Sequence, residues 1–375
     1  MTFNLSVLSS IQDRNRHSFD DVTLPERNWS PNNHWRLREW LSGLKKRIEN
    51  HQFIHQPKAM FDCDDTSFNG CVGTYLLEYI FQNGEFDLTR DQLNRSLANV
   101  GNEATHFRNG VSIDGIKKDI EEAYGNFLAD CERIGRQKAI DGINYSDFRS
   151  RWLFLSLNLY VDKLKGYDSF WMTAFENFSA KKLEEKSAEA ILVSPDKSIG
   201  PMTWNARPGS FTPALCYQCQ GGVQENVEMV DLMMACQEAG LKVLVVTGNI
   251  DSIVKGAMAA AGFPVSSENI YGTKWDQHER ISIVEEEKRR VLETIDQGPT
   301  LFVAGDSEGD YAALTMPTVE CRLIINRAHH SHHMQSLYQD GRLRGGKGPM
   351  TLLQGVDSVT GSWRLSFESI LSGKN

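Results

Sequence analysis

Asp62, Asp64 and Asp65 stand within one short stretch, directly after the apolar pair Met60-Phe61. Carboxylates that close repel one another and are costly to desolvate, so a buried strand does not carry them for stability. A divalent cation removes the conflict, and hard oxygen ligands suit Mg²⁺. In extended backbone, alternate side chains share a face. Asp62 and Asp64 then point into one pocket, with the intervening carbonyl as a further ligand. On this reading Asp62 is a nucleophile at the C-terminal end of a strand, and Asp64 is a proton donor beside it. The plain alternative is an acidic turn after a strand.

Later stretches end apolar runs in the same way. Val246-Thr247-Gly248-Asn249 offers a hydroxyl and backbone N–H groups suited to phosphate oxygens, although the same residues also make an ordinary turn and helix cap. Gly305-Asp306-Ser307 follows the run 300–304. Asp306 falls where a second metal carboxylate is needed, and Asp310 is one helical turn on. A lysine that could reach back to hold Asp62 ionised is Lys288. On spacing alone it reads as a solvated member of the charged run 285–290, and Lys274 is the competing cation.

The elements that must position these residues follow from pattern. The runs 59–61, 241–246, 269–271, 300–304 and 323–325 read as strands, the longer ones rich in β-branched residues. Between them, 223–239, 250–261 and 282–295 read as helices. Such alternation predicts an α/β fold, a doubly wound parallel sheet with helices on both faces. Between Asp62 and Thr247 lies far more chain than the ~30 residues of a βαβ unit. The sheet is therefore interrupted, just after its first strand, by a large and mostly α-helical insertion, read as a lid over the strand ends. Helices are expected at 75–81, 113–128, 145–164 and 170–184. The aromatics there read as core, with a few free to line a pocket that attracts a quaternary cation. The expected division is an N-terminal helical extension (1–57), an α/β core (58–74 and 206–330), a cap (75–205) and a C-terminal extension (331–375). Pro201, Pro208 and Pro213 mark a linker, and the chain past Asn326 reads as loop.

Over the 375 residues, 40% are hydrophobic and 24% charged, with a formal net charge of -9. Without a concentrated Lys/Arg face, a nucleic-acid partner is not expected. Residues 1–14 lack the pattern of a secretory signal, and no apolar run approaches the ~20 residues of a membrane span. A cytoplasmic protein with reduced thiols is the expectation, with secretion by a non-classical route left open. Seven cysteines include the pair Cys216/Cys219, read as ordinary thiols. The histidines at 329, 330, 332 and 333 read as an exposed run.

Taken together, Asp62-x-Asp64-x-Thr66, Thr247-Gly248, Lys288 and Gly305-Asp306-Ser307-x-x-Asp310 resemble the four ordered motifs of the haloacid dehalogenase (HAD) superfamily, with the insertion in the position of a C1-type cap. The resemblance implies a HAD-like, Rossmannoid core and a Mg²⁺-dependent phosphomonoesterase. In it Asp62 forms an aspartyl-phosphate, and Asp64 protonates the leaving alcohol and then activates water. It also implies Mg²⁺ held by Asp62, the carbonyl of Asp64 and Asp306, with Asp310 in support, and Thr247, Gly248 and Lys288 around the phosphoryl group. HAD-type dehalogenases lack the second acid, so Asp64 favours a phosphatase. More narrowly, residues 61–68, 170–186 and 288–326 are similar to the phosphorylcholine phosphatase group. Where choline-specific members carry acids after the first motif, residues 71–74 are uncharged, and Glu78 is the nearest acid. The expected substrate is a small soluble phosphorylated metabolite, phosphocholine-like in this narrower similarity. The rival is a catalytically quiet or protein-directed member whose cap binds a macromolecule.

Overall fold

The computed structural model describes residues 21–193, 199–275, 280–281, 283–327, 331–343 and 348–370. The chain enters through α1 (Asn33–Glu49), which buries Leu37, Leu41 and Leu44 at three- and four-residue steps. The first strand, β1 (Lys58–Phe61), is buried along its length. A tight turn over Cys63–Ser67 leads to the two-residue β2 (Phe68–Asn69).

Helices then dominate: α2 (Val72–Gln82), α3 (Arg90–Ala98), α4 (Ile113–Ile134), α5 (Arg136–Ile140), α6 (Ile143–Val161), α7 (Tyr167–Thr173) and α8 (Ala180–Val193). Their starts are locally encoded. Thr89 and Gln92 form a capping box at α3, and Ser112 accepts from the Gly115 N–H at α4. The hairpin β3 (Gly200–Ala206) and β4 (Leu215–Gly221) follows, then β5 (Gln224–Glu225) and α9 (Val227–Glu238). The remaining elements are β6 (Lys242–Ile250), α10 (Asp251–Ala260), β7 (Ile270–Trp275), β8 (Arg280–Ile281), α11 (Glu286–Thr294), β9 (Thr300–Gly305), α12 (Tyr311–Leu314), β10 (Cys321–Asn326), α13 (His332–Leu343) and β11 (Met350–Gly355).

The main sheet runs β11-β10-β9-β1-β6-β7-β8. All its pairings are parallel except β7 with the short β8. Successive side chains of the central strands feed two separate cores. Ala59, Phe61, Val243, Val245, Phe302 and Ala304 lie in one; Met60, Leu244, Val246 and Val303 lie in the other. A sheet covered on both faces explains why these strands are continuous apolar runs. The expected doubly wound α/β core is what forms.

The insertion is tied at its root. β2 pairs antiparallel with β5, and Asn226 binds the carbonyls of Ser67 (through N–H) and Thr66 (through Nδ2). Gly70 and Gly222, both at positive φ, meet where the chain leaves and returns; a Cβ on Gly70 would lie 2.9 Å from the Gly222 carbonyl. Inside the insertion, Phe86 lies at ring-centroid distances of 5.3–6.1 Å from Phe81, Tyr124, Phe127, Tyr145 and Phe148. Most of the expected aromatics are thus core.

Several local expectations are corrected. The supposed linker is the β3–β4 hairpin, packed on α6: the Arg149 guanidinium lies 4.5 Å from the Trp204 ring, and Arg207 pairs with Asp147. The expected boundary at 205 falls inside it. Pro201 is tolerated because a two-stranded sheet consists of edges. The helix read from 223 starts at Val227, since β5 takes the intervening residues into a strand. The helix read from 282 starts at Glu286, and Ser282 lies outside the described residues. The segment past Asn326, read as loop, supplies α13 and the edge strand β11. Among the described residues, no helix is long and apolar enough to cross a membrane.

Candidate active site

Register brings the acidic strand ends together. Phe61 of β1 is level with Val245 of β6 and with Ala304 of β9. Asp62, Thr247 and Asp306 therefore emerge at one edge of the sheet. The Asp62 N–H continues the ladder by donating to the Ala304 carbonyl at 3.0 Å, and the Ser67 hydroxyl closes the turn onto the Asp62 carbonyl at 2.6 Å. Asp65 is held at φ 59°, a conformation uncommon for a non-glycine residue. The Arg327 guanidinium stabilises it, donating to the Asp65 carbonyl at 3.0 and 3.2 Å and pairing with its carboxylate at 2.8 Å.

Lys288 projects from α11 into this edge, buried, with Nζ 2.5 Å from Asp62 Oδ1 and 2.7 Å from Asp310 Oδ1. The reading of Lys288 as solvated is therefore corrected. Its neighbours form the outer face of the helix, where Arg289 pairs with Glu293 and Arg290 with Glu287. The competing Lys274 lies exposed on β7. The second Asp310 oxygen accepts from the N–H groups of Asp306 and Ser307 at 3.0 and 3.2 Å. Gly305 makes room for it: a Cβ there would come within 2.5 Å of the Asp310 carboxyl carbon.

Oxygens of Asp62, Asp306 and Asp310 all lie within 4.8 Å of one another. One lysine faces this group, and the charge imbalance shows in the acidities. Burial, then Asp310, push Asp62 up to about 7, against the pull of Lys288. Burial, then Asp310, Asp65 and Asp62, hold Asp306 well above the usual carboxylate range, against Arg327. Burial opposes the charged form of Lys288, but Asp310 and Asp62 raise it overall, so it stays an ammonium. All-oxygen donors and uncompensated negative charge fit a hard divalent cation. The Asp64 carboxylate is not in this cluster; the ligand expected from that residue is its carbonyl.

The Asp64 carboxylate turns instead toward the start of α2. Oδ1 accepts from the Val72 N–H at 2.9 Å, and Oδ2 from Asn249 Nδ2 at 3.0 Å and the Cys71 thiol at 3.5 Å. Burial raises its pKa, and those donors oppose the rise. Thr247 is buried, its hydroxyl accepting from the Asn249 N–H at 3.1 Å, and the Gly248 carbonyl accepts from Thr273. On the insertion side, the Tyr160 and Tyr167 rings lie 5.1 Å apart, tilted by 49°. Desolvation, then Cys71, Asp65 and Asp306, raise the Tyr160 phenol. Glu78 is buried in α2. His332 and His333 open α13, with His333 bonded to Glu308, while His329 and His330 lie outside the described residues. Cys216 is an exposed free thiol.

Sequence reading missed Arg327 and the role of Asn249. Asn249 stood in the quoted Thr-Gly-Asn stretch; Arg327 carried no local signal.

The haloacid dehalogenase-like hydrolase family model matches residues 213–315, which include Thr247, Lys288, Asp306 and Asp310. A protein of unknown function from Anaerococcus prevotii DSM 20548 is similar in structure with a TM-score of 0.79 at 22% identity, covering 94% of this chain and 99% of its own. A phosphoserine phosphohydrolase-like protein from Francisella tularensis subsp. tularensis SCHU S4 matches at TM-score 0.35 and 12% identity, over 75% of this chain and 92% of its own. The magnesium-bound YfnB from Bacillus subtilis matches at TM-score 0.30 and 14% identity, over 76% and 98%. No curated protein matches the chain. The family match is confined to residues 213–315, a segment that carries the ends of β6 and β9 and the lysine of α11. The likeness in fold to the Anaerococcus protein extends over nearly the whole chain.

Proposed function

We propose that the protein is a Mg²⁺-dependent phosphomonoesterase working through an aspartyl-phosphate on Asp62, with a small soluble phosphorylated metabolite as substrate. The observation that carries this reading is the buried Asp62 bonded to Lys288 within a carboxylate cluster, with a second acid, Asp64, held apart from that lysine. In the first step an Asp62 oxygen attacks phosphorus and the bond to the leaving oxygen breaks. Asp64, whose raised pKa favours the protonated form, gives its proton to that oxygen. In the second step Asp64 takes a proton from water. The water oxygen attacks phosphorus, the bond to Asp62 breaks, and phosphate and the free carboxylate are released. Lys288 offsets charge on the phosphoryl oxygens, and Thr247 lies at the same sheet edge to bind them.

Asp62, Asp306, Asp310 and the backbone of Asp64 would hold Mg²⁺, which supplies Lewis-acid stabilisation of the charge on the transferring group. Phosphocholine and phosphoethanolamine are the first substrates to screen, since Tyr160 and its tilted neighbour Tyr167 offer aromatic faces on the insertion side. Asp62→Asn is expected to lose turnover of p-nitrophenyl phosphate in Mg²⁺. Wild-type turnover in that variant, measured on folded protein, would end the proposal.

A further inference from the structure

Asp64 is not positioned by its own turn alone. Asn249, at the irregular end of β6, reaches across to it with Nδ2 at 3.0 Å. The orientation of that amide is determined, because its Oδ1 accepts from the Ile250 N–H at 2.8 Å, leaving Nδ2 for Asp64. The Asn249 backbone is fixed as well, its N–H donating to the Thr247 hydroxyl. One residue thus links the phosphate-side hydroxyl to the proton donor.

Gly73 shows how closely this contact is built. A Cβ there would lie 2.7 Å from both Asn249 amide atoms and 2.9 Å from Cζ2 of Trp171 on α7. Gly73 has an ordinary helical conformation in α2, so backbone freedom does not require glycine there. The space is taken up by Asn249 and Trp171. A core side chain, the first turn of α2 and the insertion thus meet beside Asp64.

We infer that Asn249 is a positioning residue for Asp64: it aims the carboxyl at the leaving-group oxygen, with Gly73 preserving the room this requires. The inference rests on the phosphomonoesterase reading and names a residue acting through Asp64. An acid held off its line costs most where the leaving group most needs a proton. General acid catalysis contributes roughly 10²–10⁴-fold, and misaiming forfeits part of it.

The test compares kcat/KM for phenyl phosphate and 2,4-dinitrophenyl phosphate, similar in shape but unlike in their need for protonation. In Asn249→Ala the phenyl ester is expected to lose on the order of 30-fold or more, and the dinitrophenyl ester several-fold at most. Asn249→Ser, which keeps a donor, should recover part of the difference. Gly73→Ala, which leaves Asn249 in place but displaces its amide, should reproduce the selective loss. If Asn249→Ala does not fold, as judged by circular dichroism, Gly73→Ala carries the comparison. Equal losses on both esters overturn the inference while leaving the phosphatase reading intact. A wild-type protein that hydrolyses neither ester removes that reading, and this inference with it.

Discussion

Lys288 donates to Asp62 and Asp310 at once, in a place from which water is excluded. Removing one partner of such a group strands the others, at a cost of roughly 3–5 kcal/mol. For Lys288→Met we expect the lower end of that range, because a stranded carboxyl can take up a proton instead of staying charged. Urea unfolding without divalent cation measures it, and phosphatase turnover should fall below detection. A variant as stable and active as wild type would remove the lysine from the site. Asp62, Asp64 and Asp306 were legible as strand-end acids because the strands themselves are local patterns. The direction of Lys288 was not, because on a charged helix it depends on which face the sheet covers. Arg327 was invisible for a similar reason: its partner, Asp65, lies at the other end of the chain.

At the scale of elements, α11 must be held in register for Lys288 to reach Asp62. The buried Lys58 does part of this, donating to the carbonyls of Leu292 and Asp296 at the helix's C-terminal end, at 2.5 and 3.1 Å. The Asp296 carboxylate accepts from Lys242 at 3.0 Å and pairs with Lys58 at 3.3 Å. Desolvation tends to raise its pKa, but Lys242, the Gly298 N–H and Lys58 lower it overall. A depressed folded pKa contributes stability that is present above the unfolded value and is lost as pH falls through the folded one. Asp296→Asn should therefore cost about 1 kcal/mol at pH 7, discounted because the group is about a third exposed. That deficit should close below the ordinary value of 3.8. Urea titrations at neutral and acid pH check it, and a deficit independent of pH would assign Asp296 a packing role.

Across the whole molecule, the insertion is more firmly seated than the word lid suggests. Its last helix, α8, lies on the core helix α10; the Ser187 hydroxyl donates to the Ile253 carbonyl at 2.7 Å, and Gly256 leaves room for the Glu184 backbone. The carboxylate cluster beneath is the feature most in need of a partner. A ligand that binds the folded state alone stabilises it by about 2.7 kcal/mol at a hundred times its dissociation constant. Mg²⁺ is thus expected to raise the melting temperature by several degrees in scanning fluorimetry. Asp306→Asn should abolish that rise, and a wild-type protein indifferent to Mg²⁺ would count against the cation.

By itself the sequence determined the buried parallel strands, the acids at their ends and the interruption after β1, since apolar runs and like-charge crowding act over a few neighbouring residues. Only the tertiary structure decided that Pro201 belongs to a hairpin, that β11 closes the sheet, and that Lys288 points inward. It also decided that the distant Asn249 joins the nearby Val72 and Cys71 in holding Asp64. These outcomes are set by pairing and burial between segments far apart in the chain, and no local pattern records which segments will meet.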